Sequence, residues 1–373
     1  MNIKSEYLTD HLITYIGNKR RLLTFINNAI DDIKKNLDRE KLSMFDGFSG
    51  SGCVARLFKH YSSELYANDL EGYSHTINFC YLANKSEIAY DKIVETIDYL
   101  NTHKLGAQEI GFIEKNYAPV DDNNIQERER VFYTNKNAKI IDNIRRLIFN
   151  VDKDIVPFVL APLLVKASIH NNTSGVFKGF HKKSGKGHFG GAGENALQRI
   201  KKEIKLDYPI FCEYECPTKV IQGDINVVIS TLPELDVVYY DPPYNQHPYG
   251  SNYFMLNVIN DYDAPEIQDG VSGIAKEWNR SEYNYNRRQE AEKAMADLVE
   301  KTKAKYILIS YNNEGIIPID TFSKVLEKYG KVDCRKQEYN TYRGSKNLGK
   351  NKLLNSGEKK NVKVEELLWI LKK

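Results

Sequence analysis

One short stretch, LDVVYYDPPYN at residues 235–245, limits the possible folds of this chain more than any other. Its apolar and aromatic run, residues 237–240, is typical of a strand buried on both faces, as in a parallel sheet covered by helices. The run ends at Asp241, after which Pro242 and Pro243 fix φ and remove two backbone donors. In open α/β sheets, ligands bind at the carboxyl ends of such strands. We therefore expect Asp241 to face a ligand at the edge of an α/β sheet.

The order of the other patterns predicts an α/β domain interrupted by an insertion. Strand patterns alternate with amphipathic helical patterns near both ends of the chain, as at residues 18–37 and 287–303. Such alternation is typical of a mostly parallel sheet with helices on both faces. Residues 75–215 instead carry helix and loop patterns with few strands. We expect one α/β domain, formed by residues 1–74 and 216–373, that hosts an inserted, mainly helical module.

Charge is unevenly distributed, although the formal net charge of the 373-residue chain is only +3. Residues 178–205 contain eight Lys or Arg against two acids, and residues 340–373 contain nine against three. Such stretches suit a polyanion such as nucleic acid, and two solvated faces are an equally good interpretation. The loop at 172–191 combines basic, aromatic and glycine residues, which favours contact with the phosphates of such a polyanion over a plain surface loop.

The last two strand patterns, at 332–340 and 364–372, predict a final antiparallel hairpin. Its Lys-rich loop, residues 340–360, either reaches phosphates or is simply solvated. A further polar interruption at 245–290 follows the DPPY stretch, and we expect its first part to cap the ligand pocket.

The composition argues against several classes of protein. No apolar run approaches the roughly 20 residues of a membrane-spanning helix, and the N-terminus lacks a secretory signal pattern. We therefore expect a cytoplasmic protein. The five cysteines are scattered, which argues against a disulfide framework. Cys212 and Cys216 lack a second Cys or His pair at zinc-finger spacing, so no metal site is predicted.

A glycine-rich turn, FDGFSGSG, follows a strand pattern and opens a helix pattern. Gly47, Gly50 and Gly52 would allow a tight turn and a close approach of the backbone to a ligand. Asp69 ends the next strand pattern, where a carboxylate can accept hydrogen bonds from ribose hydroxyls. These features predict a nucleoside-cofactor site, and on this evidence a dinucleotide such as NAD remains possible.

The DPPY residues suit a planar ligand that carries an amino group. The Asp241 carboxylate and the carbonyl groups of the two prolines offer hydrogen-bond acceptors to that group. Tyr244 offers a ring on which a base can stack, an interaction worth about 1–3 kcal/mol per base. A Pro-Pro turn after a buried strand is the alternative interpretation, but it accounts for neither the acid nor the ring.

These motifs together resemble those of the amino-methyltransferases that modify adenine N6 in DNA. DPPY resembles their catalytic motif, FDGFSGSG their S-adenosylmethionine motif and YIGNKRRL their N-terminal cofactor motif. Further acids match in AND, residues 67–69, and in GD, residues 223–224. The motif order, with a long insertion before DPPY, is that of the Dam-like D12 class. The matching cofactor positions are Tyr15, Gly17, Lys19, Asp46, Phe48, Gly50, Gly52, Asp69 and Asp224.

The resemblance implies a Rossmann-like methyltransferase sheet with an inserted DNA-recognition module. It implies that these cofactor positions, together with Asp241, bind S-adenosylmethionine, and that Asp241 also contacts the substrate. Asp241, Pro242, Pro243 and Tyr244 would then form the catalytic motif, in which Asp241 and the Pro242 carbonyl accept hydrogen bonds from the adenine amino group. Tyr244 would stack on a base that has left the double helix, because a paired base cannot present its amino group in line to the sulfonium.

The substrate implied is double-stranded DNA, and the enzyme would be a monomer beside a separate restriction endonuclease. Two alternatives within enzymes are cytosine N4 in DNA and adenine in RNA. A third alternative is a DNA-binding protein that retains the fold without catalysis.

Overall fold

The computed structural model of the chain has a mixed α/β fold centred on a seven-stranded sheet. It describes residues 5–10, 12–106, 109–279, 281, 283–313, 315–339 and 364–373. The predicted phosphate-contacting loop at 340–360 lies outside the described residues.

The sheet is parallel over most of its width. The strands are β1 (Leu42–Asp46), β2 (Ser62–Asp69), β3 (Lys182–Lys183), β4 (Lys186–Gly187), β5 (Thr218–Gln222), β6 (Leu235–Tyr240), β7 (Ala304–Asn312), β8 (Lys331–Tyr339) and β9 (Val364–Lys372). Strands β3 and β4 form a separate antiparallel hairpin, and the main sheet has the order β5-β2-β1-β6-β7-β9-β8. Strands β5 to β7 in this order pair in parallel, whereas β9 runs antiparallel between β7 and β8. The predicted mostly parallel sheet and the C-terminal hairpin are thereby confirmed.

Some helices cover the two faces of the sheet, and others pack mainly against each other in a helical region. The helices are α1 (Glu6–Thr9), α2 (Leu23–Leu37), α3 (Cys53–Lys59), α4 (Gly72–Tyr81), α5 (Tyr90–His103), α6 (Phe112–Tyr117), α7 (Asn135–Ile148), α8 (Val156–Ile169), α9 (Leu197–Lys201), α10 (Ile225–Val228), α11 (Tyr249–Asn252), α12 (Phe254–Asp261), α13 (Arg288–Lys301) and α14 (Ile319–Glu327). Short 3-10 helices occupy Lys19–Leu22, Lys85–Glu87, Gly191–Gly193 and Ile229–Thr231. Within the described part of the chain, no helix combines the length and apolarity that crossing a membrane requires.

The packing of β6 explains the apolar and aromatic run at residues 237–240. Successive side chains of a strand point to opposite faces, and here both faces are covered. Val237 and Tyr239 pack in a core with α2 and α3, whereas Val238 and Tyr240 pack in a second core with α13 and α14. Every residue of β6 is buried as a result.

A third core lies among α4, α5, α6, α7, α8 and α12. Helices α5 to α8 come from residues 75–215, the segment predicted to be an inserted module. Helix α12 comes from the later polar interruption, but its residues Phe254–Ile259 pack into the same core. The domain boundaries at 74/75 and 215/216 stay a prediction, and the helical core draws on chain from both sides of the second boundary.

The order of the strands places a crevice between β1 and β6. From β1 the chain continues to its neighbour β2, whereas from β6 it continues to β7 on the other side. Ligands bind at such switch points in open α/β sheets. Residues Met44, Phe45 and Asp46 pair with Val237, Val238 and Tyr239, respectively. The glycine turn after β1 and the DPPY motif after β6 therefore emerge side by side.

Candidate active site

A cavity of about 360 Å³ opens at the carboxyl edge of the sheet. Its walls include residues that follow β1, β2, β5 and β6, since the carboxyl ends of these parallel strands meet there. Of the sequence-predicted positions, Tyr15, Phe48, Asp69, Asp224, Asp241 and Pro243 line it directly. The other predicted positions lie in or directly beside the same motifs: Gly17, Lys19, Asp46, Gly50, Gly52, Pro242 and Tyr244.

The glycine turn after β1 is tightly enclosed. Gly50 and Gly52 have positive φ angles of +49° and +74°, which side chains rarely adopt. A Cβ atom on Gly50 would lie 2.7 Å from the ring of Tyr15, and one on Gly47 would lie 2.7 Å from the ring of Tyr240. The turn therefore requires glycine both for its conformation and for its space.

Asp69, at the end of β2, accepts backbone hydrogen bonds that stabilise this turn. The Gly50 N–H donates to Asp69 Oδ2 at 2.7 Å, and the Glu71 N–H donates to Oδ1 at 2.9 Å. Burial raises the pKa of Asp69, and these backbone hydrogen bonds oppose that rise. Because each carboxylate oxygen can accept a second hydrogen bond, Asp69 can hold the turn and still face a ligand. Its predicted contact with a ribose stays a prediction.

Two polar side chains lie behind the turn. Asp46 is 1% exposed; burial, followed by the charges of Asp241 and Asp69, raises its pKa well above the usual value. Asn68 donates from Nδ2 to the carbonyl groups of Gly47 and Gly223, both at 3.1 Å, and so ties the turns after β1 and β5 together. Its Oδ1 is buried and accepts no hydrogen bond from the described residues.

The N-terminal motif is held by tyrosines that follow DPPY. Tyr15 stacks on Tyr253 and Tyr249, with ring centroids 4.7 and 5.0 Å apart. The Ile16 N–H donates to the Tyr253 hydroxyl at 2.7 Å, and the Tyr249 hydroxyl donates to the Ile16 carbonyl at 2.9 Å. These contacts couple the predicted cofactor motif to the predicted catalytic segment.

Tyr244 is half-buried at the junction of the two motifs. Its hydroxyl approaches Gly17 so closely that a Cβ there would lie 2.8 Å away. The Lys19 ammonium lies 5.3 Å from the centroid of the Tyr244 ring, and the ring of Tyr311 meets it edge-on at 6.1 Å. Pro242, two residues earlier, is buried. The ring is well anchored, and its stacking on a base stays a prediction.

Lys19 joins two acids in a buried ion cluster. Its Nζ lies 2.9 Å from Asp241 Oδ1 and 3.1 Å from Glu366 Oε1, and it donates to the Gly17 carbonyl at 3.2 Å. Burial alone would lower the pKa of Lys19, but Asp241 and Glu366 raise it well above its usual value. Burial raises the pKa of Asp241 to about 6; Lys19 lowers that pKa and Glu366 raises it.

Comparison with known proteins identifies the family to which this site belongs. The family model of the D12 class N6 adenine-specific DNA methyltransferases matches residues 15–325. The chain belongs to this D12 class. The match extends beyond Tyr244, the last residue of the motifs that suggested the resemblance. The protein is therefore an adenine-specific DNA methyltransferase, and DNA is its substrate.

Three proteins named as methyltransferases or modification methylases are similar over most of this chain. The type II methyltransferase M.NlaIII of Neisseria lactamica is 28% identical over 353 residues, which cover 92% of this chain and 96% of the relative. The type II methyltransferase M.CviAII of Paramecium bursaria Chlorella virus 1 is 30% identical over 329 residues, covering 86% and 90%. The modification methylase StsI of Streptococcus sanguinis is 28% identical over 353 residues, but these cover only 50% of that longer protein.

Some parts of the site in this D12 methyltransferase were not predicted from the sequence. Asn68 and Glu366 are two of them, and the third is a wall formed by Trp278, Asn279, Ser281, Tyr283, Asn284, Tyr285, Asn286, Arg287 and Glu290. Within that wall the Ser281 hydroxyl donates to Asp224 Oδ2 at 2.7 Å, while Asp224 Oδ1 accepts the Asn226 N–H that begins α10. For Glu366 the available signal was an acid directly before the buried apolar run at 367–371, whereas the other two parts carried no local signal.

The described part of this methyltransferase contains no group of three or more His, Cys, Asp and Glu side chains arranged to hold an ion. Cys212 and Cys216, the pair considered for zinc, are both buried free thiols.

Proposed function

We propose that the protein transfers a methyl group from S-adenosylmethionine to N6 of an adenine flipped out of double-stranded DNA. We also propose that it acts as a monomer, as the modification enzyme beside a separate restriction endonuclease. The main support is the position of Asp241, whose carboxylate faces the cavity at the switch point and contacts the cofactor motif through Lys19. The type II names of the relatives support the restriction-modification role.

The cavity walls suit S-adenosylmethionine. The ring of Phe48 is apolar, Asp69 and Asp224 offer acceptors for hydroxyl and amino groups, and the buried Asn68 Oδ1 is a further acceptor aimed at this edge of the sheet. We assign Tyr15, Lys19 and the glycine turn to the same ligand, because they lie around this cavity. S-adenosylmethionine supplies an electrophilic methyl group on its sulfonium.

The target adenine would occupy the Asp241 end of the cavity. The Asp241 carboxylate and the Pro242 carbonyl accept hydrogen bonds from the amino group and orient its lone pair. Tyr244 holds the extruded ring by stacking. The nitrogen loses a proton when it gains the methyl group, and the raised pKa of Asp241 makes this carboxylate a better proton acceptor than an ordinary aspartate. The remaining contribution is positioning and electrostatics.

DNA would approach along the basic loop at 172–191. This loop packs against the chain that follows DPPY, since the Phe177 N–H donates to the Asn252 carbonyl at 2.7 Å and Lys178 Nζ lies 3.5 Å from His247 Nδ1. Exposed lysines of the β3–β4 hairpin project from the same loop. Phosphates bound by this loop would therefore lie near the flipped base.

The proposal is tested by methyl transfer with purified protein. Nucleosides from treated DNA are analysed by mass spectrometry, and long-read sequencing reports the sequence context of each modified base. We expect N6-methyladenine at one DNA sequence, and DNA modified there should resist a cognate endonuclease. N4-methylcytosine, or modification of RNA alone, would contradict the substrate assignment.

Variants separate the site from the rest of the protein. We expect Asp241→Ala to be folded and to transfer no tritiated methyl group, whereas Asp154→Ala, which changes an exposed aspartate, keeps wild-type turnover. Near-normal turnover of folded Asp241→Ala would refute the catalytic role of Asp241. A wild-type protein that binds DNA but transfers nothing would support the alternative of a silent DNA-binding protein.

A further inference from the structure

Glu366 is a buried acid with no part in the motifs of the site. It lies on β9, opposite Asn312 of the neighbouring β7, and is 4% exposed. The residues that follow it, Leu367 and Leu368, are fully buried apolar side chains. The antiparallel strand thus brings a carboxylate from the end of the chain to Lys19, near its beginning.

Charge balance alone does not account for Glu366. A buried carboxylate is costly unless it is paired, and Lys19 with Asp241 already forms a neutral pair. Adding Glu366 gives the cluster two acids to one base, and so a net negative charge beside the cavity. A leucine at this position would have avoided that charge. Because Glu366 leaves the cluster with an excess negative charge, its presence is better explained by a role in the chemistry than by a role in folding.

We propose that Glu366 is a positioning residue that shares the Lys19 ammonium with Asp241 and so keeps the Asp241 carboxylate available as an acceptor. This inference rests on the proposed role of Asp241. With Glu366 present, Lys19 is held from two sides, at 2.9 and 3.1 Å. Without it, Asp241 would be the one acid bound to the ammonium, which also donates to the Gly17 carbonyl. That stronger charged hydrogen bond to Asp241 would compete with the amino group of the substrate.

The electrostatic effect of Glu366 on Asp241 has a definite sign. The Glu366 charge raises the pKa of Asp241, whereas Lys19 lowers it. Removing the Glu366 charge therefore lowers the pKa of Asp241. Within the described part of the chain, the other titratable groups that interact with Lys19 or Asp241 include Asp46, Cys53, Tyr239, Tyr244 and Tyr249, and the substitution leaves all of them in place.

The test compares pH profiles of kcat/KM for methyl transfer to DNA. We expect the acid limb of Glu366→Gln to lie at lower pH than the wild-type limb, and kcat on the plateau to fall about tenfold, the equivalent of one charged hydrogen bond. The KM for DNA should change little. Glu365→Gln is the matched control, since the adjacent side chain points to the other face of β9, and it should leave the profile unchanged.

Each outcome decides the inference. An active Glu366→Gln protein with the wild-type acid limb and plateau would overturn it. If circular dichroism shows that Glu366→Gln does not fold, Glu366→Ala is measured instead, and the acid limb of its profile should lie at lower pH than the wild-type limb. If neither variant folds, Glu366 is a structural residue and the inference is overturned as well. A wild-type protein that methylates no adenine would instead refute the proposed function, which separates the two failures.

Discussion

Substitution of Gly50 by alanine tests the close packing between the glycine turn and the ring of Tyr15. Gly50 has φ of +49°, and an added Cβ would lie 2.7 Å from Tyr15 Cε1 and 3.0 Å from Cζ. The Tyr15 ring has little freedom to withdraw, because it stacks on Tyr249 and Tyr253. The substitution should therefore strain the backbone and also displace the ring.

Gly185 provides a matched control for the backbone part of this cost. It has φ of +84°, and nothing lies within 4 Å of an added Cβ. A left-handed alanine costs about 1–2 kcal/mol in either place. Overpacking adds about 1–3 kcal/mol at Gly50 alone. We expect the free energy of unfolding to fall by about 1–2 kcal/mol for Gly185→Ala and by about 2–5 kcal/mol for Gly50→Ala.

Urea unfolding measures these stabilities, and calorimetric titration with S-adenosylmethionine measures the effect on the cofactor site. Displacing the turn should disturb the hydrogen bond from Gly50 to Asp69, so Gly50→Ala should raise the dissociation constant at least about tenfold, the equivalent of one charged hydrogen bond. Gly185→Ala should leave it unchanged. If both variants lose the same stability and bind the cofactor like the wild type, the close packing described around Gly50 is wrong.

Three further predictions concern single residues. Asp69→Ala should weaken cofactor binding, measured by calorimetry, by about 1.5–3 kcal/mol, because it removes a charged acceptor. DNA binding in a gel-shift assay should stay unchanged. If the variant binds the cofactor as tightly as the wild type does, Asp69 is purely structural. Tyr244→Phe should retain most turnover, whereas Tyr244→Ala should lose about 1–3 kcal/mol of base binding, and the loss should be smaller on mismatched DNA. The fluorescence of 2-aminopurine at the target position follows base extrusion in both variants, and equal behaviour of the two would argue against stacking. The wild-type kcat/KM should fall below about pH 6, because protonated Asp241 no longer accepts from the amino group, and a flat profile from pH 5 to 8 would contradict that assignment.

Several elements could be predicted because their signals are local. The strand at 235–240 is apolar or aromatic from residue 237 to residue 240 because helices cover both of its faces. The glycine turn and the acids at the ends of β2 and β5 follow their strands directly, and parallel strands bring their carboxyl ends to one edge of a sheet. The glycine turn, the two acids and the DPPY residues could therefore be expected at one edge of the sheet, whereas Tyr15, Gly17 and Lys19 were assigned to the site only through the family resemblance. Their individual roles with cofactor and base remain predictions.

Other parts of the site have no local signal. Trp278, Asn279 and Ser281 belong to a stretch that reads as polar loop, and only folding places them in the wall of the cavity, where Ser281 contacts Asp224. Asn68 looks like any residue beside a strand end until its amide is seen to bridge the turns after β1 and β5. The stacking of Tyr15 on Tyr249 and Tyr253 likewise joins residues more than 230 positions apart.

By itself, the sequence determined the class of sheet, the two turns that flank its switch point and the acid at the end of β6, because each depends on neighbouring residues and on strand periodicity. The tertiary structure alone decided that Lys19 lies between Asp241 and Glu366. That arrangement depends on β9 entering the sheet antiparallel between β7 and β8, which brings position 366 to position 19. Burial then makes the three charges interact strongly, since little water is present to screen them.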